Sequence, residues 1–135
     1  MPLALRPPLV DGLFVVGDAG GQCMPLWAEG IRTAIYYSAA CGRAISAALQ
    51  GEILPGEARA QYAALVRRKA AFHALMMHLQ EGIARMPEQM RVPILRATAL
   101  PPVANRFIRL YLRGSGRLRE IPEAVPSLTT ATAKV

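Results

Sequence analysis

The 135-residue sequence predicts a mainly helical chain, in which a strand, a loop and one long helix are followed by a helical C-terminal region. Three observations carry that expectation. A short apolar run, Leu13-Phe14-Val15-Val16, is rich in β-formers and ends at Gly17-Asp18; such a run reads as a buried strand. From Leu26 to about Leu49 the apolar residues recur at helical spacing up to Gly51, a natural helix stop. Beyond Leu54-Pro55-Gly56 the helical spacing returns and is then broken repeatedly by proline.

Each element has a local reason. Residues 1–11 predict an extended lead-in, since Pro7-Pro8 bars a helix. Residues 12–18 predict the strand, with its centre at 13–17. A loop over 18–25 leads to a helix opening near Pro25. Ala34, Ala39, Ala40, Ala44, Ala47 and Ala48 leave that helix thin, so it suits close packing against a large body. A second helix is predicted from about Glu57 to Met86, with Tyr62, Leu65, Val66, Phe72, Leu75, Met76, Leu79 and Ile83 at helical spacing. Pro87 starts or interrupts the next segment, and Pro93 and Pro101-Pro102 divide the region after it into short helices. The last of these covers Val103 to Leu112, and Ser127 to Val135 predict a frayed tail.

Composition narrows the function classes. An apolar content of 53% excludes a disordered chain. Sixteen Lys+Arg against nine Asp+Glu give a net charge of +7. The excess is late in the chain, at Arg85, Arg91, Arg96, Arg106, Arg109, Arg113, Arg117 and Arg119, opposed there by Glu88 alone. Such a run suits a phosphate, an anionic lipid headgroup or an acidic partner surface. It equally suits a solvated face, or pairing with carboxylates outside this chain. Cys23 and Cys41 make no disulfide framework and no Cys-x-x-Cys, and no secretory leader opens the sequence. Both features predict a cytoplasmic protein, with peripheral membrane contact left open. No uncharged run approaches the ~18 residues of a membrane span.

The segment Gly17–Ile31, GDAGGQCMPLWAEGI, carries most of the functional information. A carboxylate at a strand tip, facing a glycine-bearing turn and a helix start, makes a small-molecule site. Glycine lets a ligand approach the backbone, and the first N–H groups of a helix are unpaired and partly positive. Asp18 suits a sugar-like hydroxyl. Gly17-Asp18-Ala19, Pro25 and Glu29-Gly30-Ile31 together resemble the second FAD-binding fingerprint of flavin-dependent oxidoreductases, the group that includes aromatic-ring hydroxylases and geranylgeranyl reductases. The wording Pro-Leu-x-x-Glu-Gly-Ile is more similar to the geranylgeranyl reductase branch. The resemblance covers roughly residues 11 to 50. It implies that Asp18 holds the ribityl chain of FAD and that the backbone at Gly30 and Ile31 faces the flavin pyrimidine edge. Gly17, Ala19 and Pro25 complete the implied cofactor-binding set. Two positions depart from the pattern: Gly20 stands where the family more often has Ala, and Trp27-Ala28 where it often has Thr-Gly.

The resemblance also implies something this chain lacks. The family opens with a strand, a G-x-G-x-x-G turn and a helix that hold the ADP half of FAD. No G-x-G-x-x-G occurs here; Gly114-Ser115-Gly116 lies between arginine-rich segments without a preceding strand. The expectation is a fragment of a larger α/β flavoprotein. Residues 1–55 would then be the last strand and helix of a Rossmann-like FAD-binding domain, 56–126 a helical C-terminal region, and 127–135 a flexible tail. The implied parent uses FAD and NAD(P)H to reduce or hydroxylate an isoprenoid or other apolar substrate. This chain alone would be inactive, completed by an N-terminal FAD-binding part and able to form oligomers.

Other candidates are weaker. A strand ending in Asp also suits the Mg²⁺-holding strand of nucleotide hydrolases, but that needs G-x-x-x-x-G-K-[ST], and no Lys precedes Lys69. Asp18 could equally cap its turn. Glu29 suits a helix dipole; Arg32 suits a flavin, a substrate phosphate or a salt bridge. Cys23 has no nearby thiol and reads as a loop-packing residue. Trp27 suits either the core or stacking on flavin. His73 and His78, five apart, lie about 140° apart around a helix and share no face. No metal set and no catalytic residue can be named. The rival function is a non-enzymatic basic helical module binding nucleic acid or an anionic membrane surface. Its case for nucleic acid is weak, because prolines interrupt the arginines and only Phe107 and Tyr111 are aromatic neighbours.

Overall fold

A computed structural model describes residues 5–116. The expected tail at Ser127–Val135 lies outside the described residues, as do Arg117 and Arg119. The described chain is mainly helical. A two-stranded hairpin comes first, β1 (Leu9–Val10) and β2 (Leu13–Phe14), and a 3₁₀ turn succeeds it at Gly17–Gly20. Four helices complete it: α1 (Ile31–Leu49), α2 (Pro55–Arg85), α3 (Glu88–Thr98) and α4 (Pro101–Ser115).

The strand is shorter and differently used than 12–18 predicts. It ends at Phe14 and pairs antiparallel with β1, Leu9 opposite Phe14 and Val10 opposite Leu13. The turn between them places Asp11 and Gly12 at positive φ, the geometry of a tight hairpin. Leu13 is 70% exposed, so the run is not a strand buried on both faces. Gly17, expected at the strand end, opens the 3₁₀ turn instead.

The first long helix starts later than Pro25. Residues 25–28 form a turn closed by a bridge between Met24 and Glu29, with hydrogen bonds of 3.0 and 3.3 Å. Leu26 (φ 76°) and Ala28 (φ 49°) adopt left-handed conformations there, which no α-helix admits. Helix α1 opens only at Ile31, and Ala34 N–H donates to Gly30 at 2.8 Å. Its end is as expected. Gly51 (φ 76°) donates to Ala48, and Glu52 donates to Ala47, which is the Schellman closure.

Helix α2 opens at Pro55, where a missing N–H costs nothing, and Glu57 reaches back to accept from Leu54 N–H at 2.9 Å. Pro93 does not divide the segment that contains it. It lies inside α3, at the expense of the bond its N–H would have made to Gln89. Helix α4 extends beyond the expected 103–112 at both ends, starting on Pro101-Pro102 and running to Ser115.

Helices α1 and α2 pack together through Tyr36, Tyr37, Cys41, Tyr62 and Val66, and Leu9, Phe14 and Val16 of the hairpin region close this core. A second cluster joins Met24 of the loop to Met76 of α2 and Tyr111 of α4. Between them the two clusters hold the 17–30 segment against the helices. Helix α3 buries none of its residues.

Candidate functional site

The loop between the 3₁₀ turn and α1 is held from both sides by buried polar side chains. Gln22 is one anchor. Its Oε1 accepts from Gly17 N–H at 2.8 Å, and its Nε2 donates to the Tyr62 hydroxyl at 3.0 Å. That hydroxyl in turn donates to the Val15 carbonyl at 2.8 Å. A Cβ at Gly20 would lie 3.0 Å from Gln22 Nε2, so this position packs tightly against the anchor. His73 is the second anchor, 4% exposed, with Nε2 donating to the Cys23 carbonyl at 3.1 Å. Burial pushes the His73 pKa down, against the opposing pull of the Cys23 and Gly21 carbonyls. Gln80, seven residues further along α2, accepts from Leu26 N–H at 2.6 Å. His78 is exposed, so the two histidines share no face, as their spacing predicts.

These anchors present Asp18 at the mouth of the loop. Asp18 is exposed and Ala19 beside it is also exposed. A Cβ at Gly30 would sit 3.4 Å from Asp18 Oδ1 and 3.7 Å from Cys23 Sγ. Asp18, Cys23 and Gly30 are therefore neighbours, at the N-terminus of α1. Gly17 (φ 68°) needs its left-handed geometry, and Pro25 is fully buried under the turn. In the first turn of α1, Ile31 is 81% exposed while Thr33 is buried. The six expected cofactor-binding residues thus divide into an open part (Asp18, Ala19, Ile31), the half-buried Gly30 beside Asp18, and a supporting part (Gly17, Pro25). The Cys23 thiol is pushed up by burial and then by the Asp18 and Glu29 carboxylates. Both effects favour the protonated thiol.

Arg32 is engaged within this chain. It forms a two-pronged ion pair with Glu29 and donates to the Ser115 hydroxyl at 2.6 Å and to the Gly116 carbonyl. Ser115 donates to the Tyr111 carbonyl at 2.7 Å. The start of α1 is thereby tied to the end of α4. The paired guanidinium holds the Glu29 carboxyl below the usual range. With four of its five N–H groups committed within the chain, Arg32 acts as a structural tie.

Trp27 belongs neither to the core nor to a free stacking platform. It is 55% exposed and stacks on Phe107, with centroids 6.2 Å apart, and leans on Tyr111 at 5.8 Å. Tyr111 is buried, and its hydroxyl has no hydrogen-bond partner among the described residues; burial pushes its pKa up.

The supporting roles of Gln22, His73, Gln80 and Tyr111 are not expected from the sequence. A signal existed for two of them. His73 and Gln80 are seven apart, so both fall on one face of α2, where they interrupt an otherwise apolar stripe. Among the described residues no group of His, Cys, Asp and Glu is arranged to hold a metal ion, and no helix is long and apolar enough to cross a membrane. No protein-family model matches this chain, and no curated protein or solved structure is significantly similar to it.

Proposed function

We propose that the chain is the C-terminal part of an FAD-dependent oxidoreductase, similar to geranylgeranyl reductases and flavin hydroxylases, and that residues 17–31 hold the ribityl and pyrimidine side of FAD. One observation carries the reading. Ala28 adopts φ 49°, a conformation that favours glycine, and it stands where the resembling fingerprint often has Gly. Three residues after the buried Pro25, this backbone makes the turn a glycine would make. A left-handed backbone at a position where the fingerprint often has Gly supports the reading.

The open residues fit the cofactor they would take. Asp18 is an exposed acceptor for ribityl hydroxyls. Gly30 keeps the space beside it clear, and the unpaired N–H groups of the first α1 turn suit the electron-rich pyrimidine edge. Bound flavin would supply hydride and electron chemistry. The chain's residues would position it: Gln22 and His73 fix the loop, and the Glu29–Arg32 pair fixes the start of α1.

The exposed apolar stripe of α1 supports the fragment reading. Ile31, Ile35, Ile45 and Leu49 are all exposed and fall on one helical face, away from α2. In the proposed parent that face lies under the remainder of a Rossmann-like FAD-binding domain, which supplies the ADP-binding turn. NAD(P)H as electron donor and an apolar substrate belong to the same reading.

The test is flavin retention by the intact protein that carries this segment. Asp18→Ala should weaken FAD binding by about 1–3 kcal/mol, the scale of losing the partner of a polar group, while leaving the fold intact by circular dichroism. An intact protein that purifies without flavin and takes up none when FAD is added would overturn the proposal.

A further inference from the structure

Helices α3 and α4 form an arm whose outer surface no other described element covers. Their exposed residues combine two chemistries. Met90, Leu95, Leu100, Val103 and Leu110 are large, apolar and each more than two-fifths exposed. Between Met86 and Gly116 there are five arginines, at 91, 96, 106, 109 and 113, against the one carboxylate of Glu88. Among the described residues none of the five has an ion-pair partner.

The two chemistries are adjacent on α4. At 100° per residue, Arg106, Arg109 and Arg113 share an arc of about 60°, and Leu110 and Val103 lie on the next arc round. The opposite side of the helix, centred on Tyr111, is the side packed on Trp27 and Phe72. Trp27 stands half-exposed at the edge of this packing, stacked on Phe107. Basic and apolar side chains on adjoining arcs of one surface match the headgroup boundary of a bilayer, where each finds its own layer, and Trp27 lies beyond the apolar arc as a reporter at its edge.

We propose that the α3–α4 arm docks on an anionic membrane surface, the arginines on headgroup phosphates and the apolar side chains in the acyl boundary. Charge and exposure select the occupant. A second copy would set five arginines against five. A nucleic acid would satisfy the arginines but leave Leu95, Leu100 and Leu110 in water, and no exposed aromatic of the arm is free to stack on bases. Apart from Trp27 at its edge, this surface lies outside the 17–31 site and does not depend on its reading.

The 135-residue protein is tested with vesicles of phosphatidylcholine alone or with one-third phosphatidylglycerol. Trp27 is its sole tryptophan, so binding should shift its fluorescence to the blue, together with cosedimentation. Binding is expected to the anionic vesicles and to be at least tenfold weaker to the neutral ones. Reversing Arg109 and Arg113 with R109E/R113E should weaken it by well over tenfold, as each basic residue is worth roughly fivefold near such a surface. Leu110→Asn, exposed and harmless to folding, should weaken it severalfold with the arginines intact. Equal binding to both vesicle types overturns the proposal. So does tighter binding to a duplex oligonucleotide at equal phosphate concentration, or a dimer by light scattering that Leu110→Asn dissociates.

Discussion

At Ala28 a single residue reports on the whole loop. A left-handed conformation costs an L-residue roughly 1–2 kcal/mol that glycine is spared, and Ala28 is exposed with no packing to lose. Ala28→Gly should therefore stabilise the chain, by about 1 kcal/mol in urea unfolding once the greater chain entropy of glycine is subtracted. Destabilisation would mean that the 25–28 turn is not left-handed in solution. Cys23 tests the neighbouring geometry. Its thiol is held up by burial and by the Asp18 and Glu29 carboxylates. Asp18→Asn removes one of those charges, so alkylation of Cys23 near neutral pH should become faster. An unchanged rate would separate the two side chains. His73 is the third residue whose effect has a definite sign. Its folded pKa lies below the ordinary 6.5 because of burial. The native state therefore favours the neutral ring, which contributes fully above pH 6.5, and stability falls as pH drops below that value. His73→Gln should flatten this acid limb of a stability-versus-pH curve, and an unaltered limb would assign it to other groups.

At the scale of elements, the features legible in the sequence are those that local chemistry decides. The Schellman closure at Gly51, the proline start of α2 and the apolar spacing of α2 depend on a few neighbouring residues. The start of α1 does not. Leu26 to Ile31 reads as helix by composition, yet Gln80 holds the Leu26 N–H and His73 the nearby Cys23 carbonyl, each about fifty residues away, and the backbone turns instead. The expected strand is too long for a similar reason. Val15 and Val16 are β-formers, but the Val15 carbonyl is taken by Tyr62 rather than by a strand. Of the candidate site, the open residues are legible because they carry the motif, and the supporting polar residues are not, because their partners are remote in sequence. The contact between α4 and α2 is likewise invisible. A Cβ at Gly114 would come within 2.3 Å of the Phe72 ring, so α4 can sit on α2 only with glycine there. Gly114→Ala should destabilise the chain by about 1–3 kcal/mol, the range for forcing a core to accept an extra methyl, visible as a lowered Tm.

The whole molecule is lopsided in what it buries. Two aromatic-rich clusters fix the loop and the helices, while one face of α1 and the outer surface of α3 and α4 are left apolar and exposed. On the proposed function the α1 face is an internal surface of a larger flavoprotein, and its exposure has a consequence for cofactor binding. The residues present reach only the ribityl and pyrimidine side of FAD, and no glycine-rich turn is available for the pyrophosphate, the part of the cofactor on which a helix N-terminus acts most strongly. The 135-residue chain should therefore bind FAD more weakly than micromolar, by equilibrium dialysis, and should bind a hydrophobic dye through the α1 face. Ile35→Asn and Leu49→Asn together should lower that dye binding without lowering Tm, since both side chains are more than half exposed. A chain that purifies yellow with one FAD per molecule would show that the adenine half finds a site within these residues, and the parent would then have to be read as this chain alone.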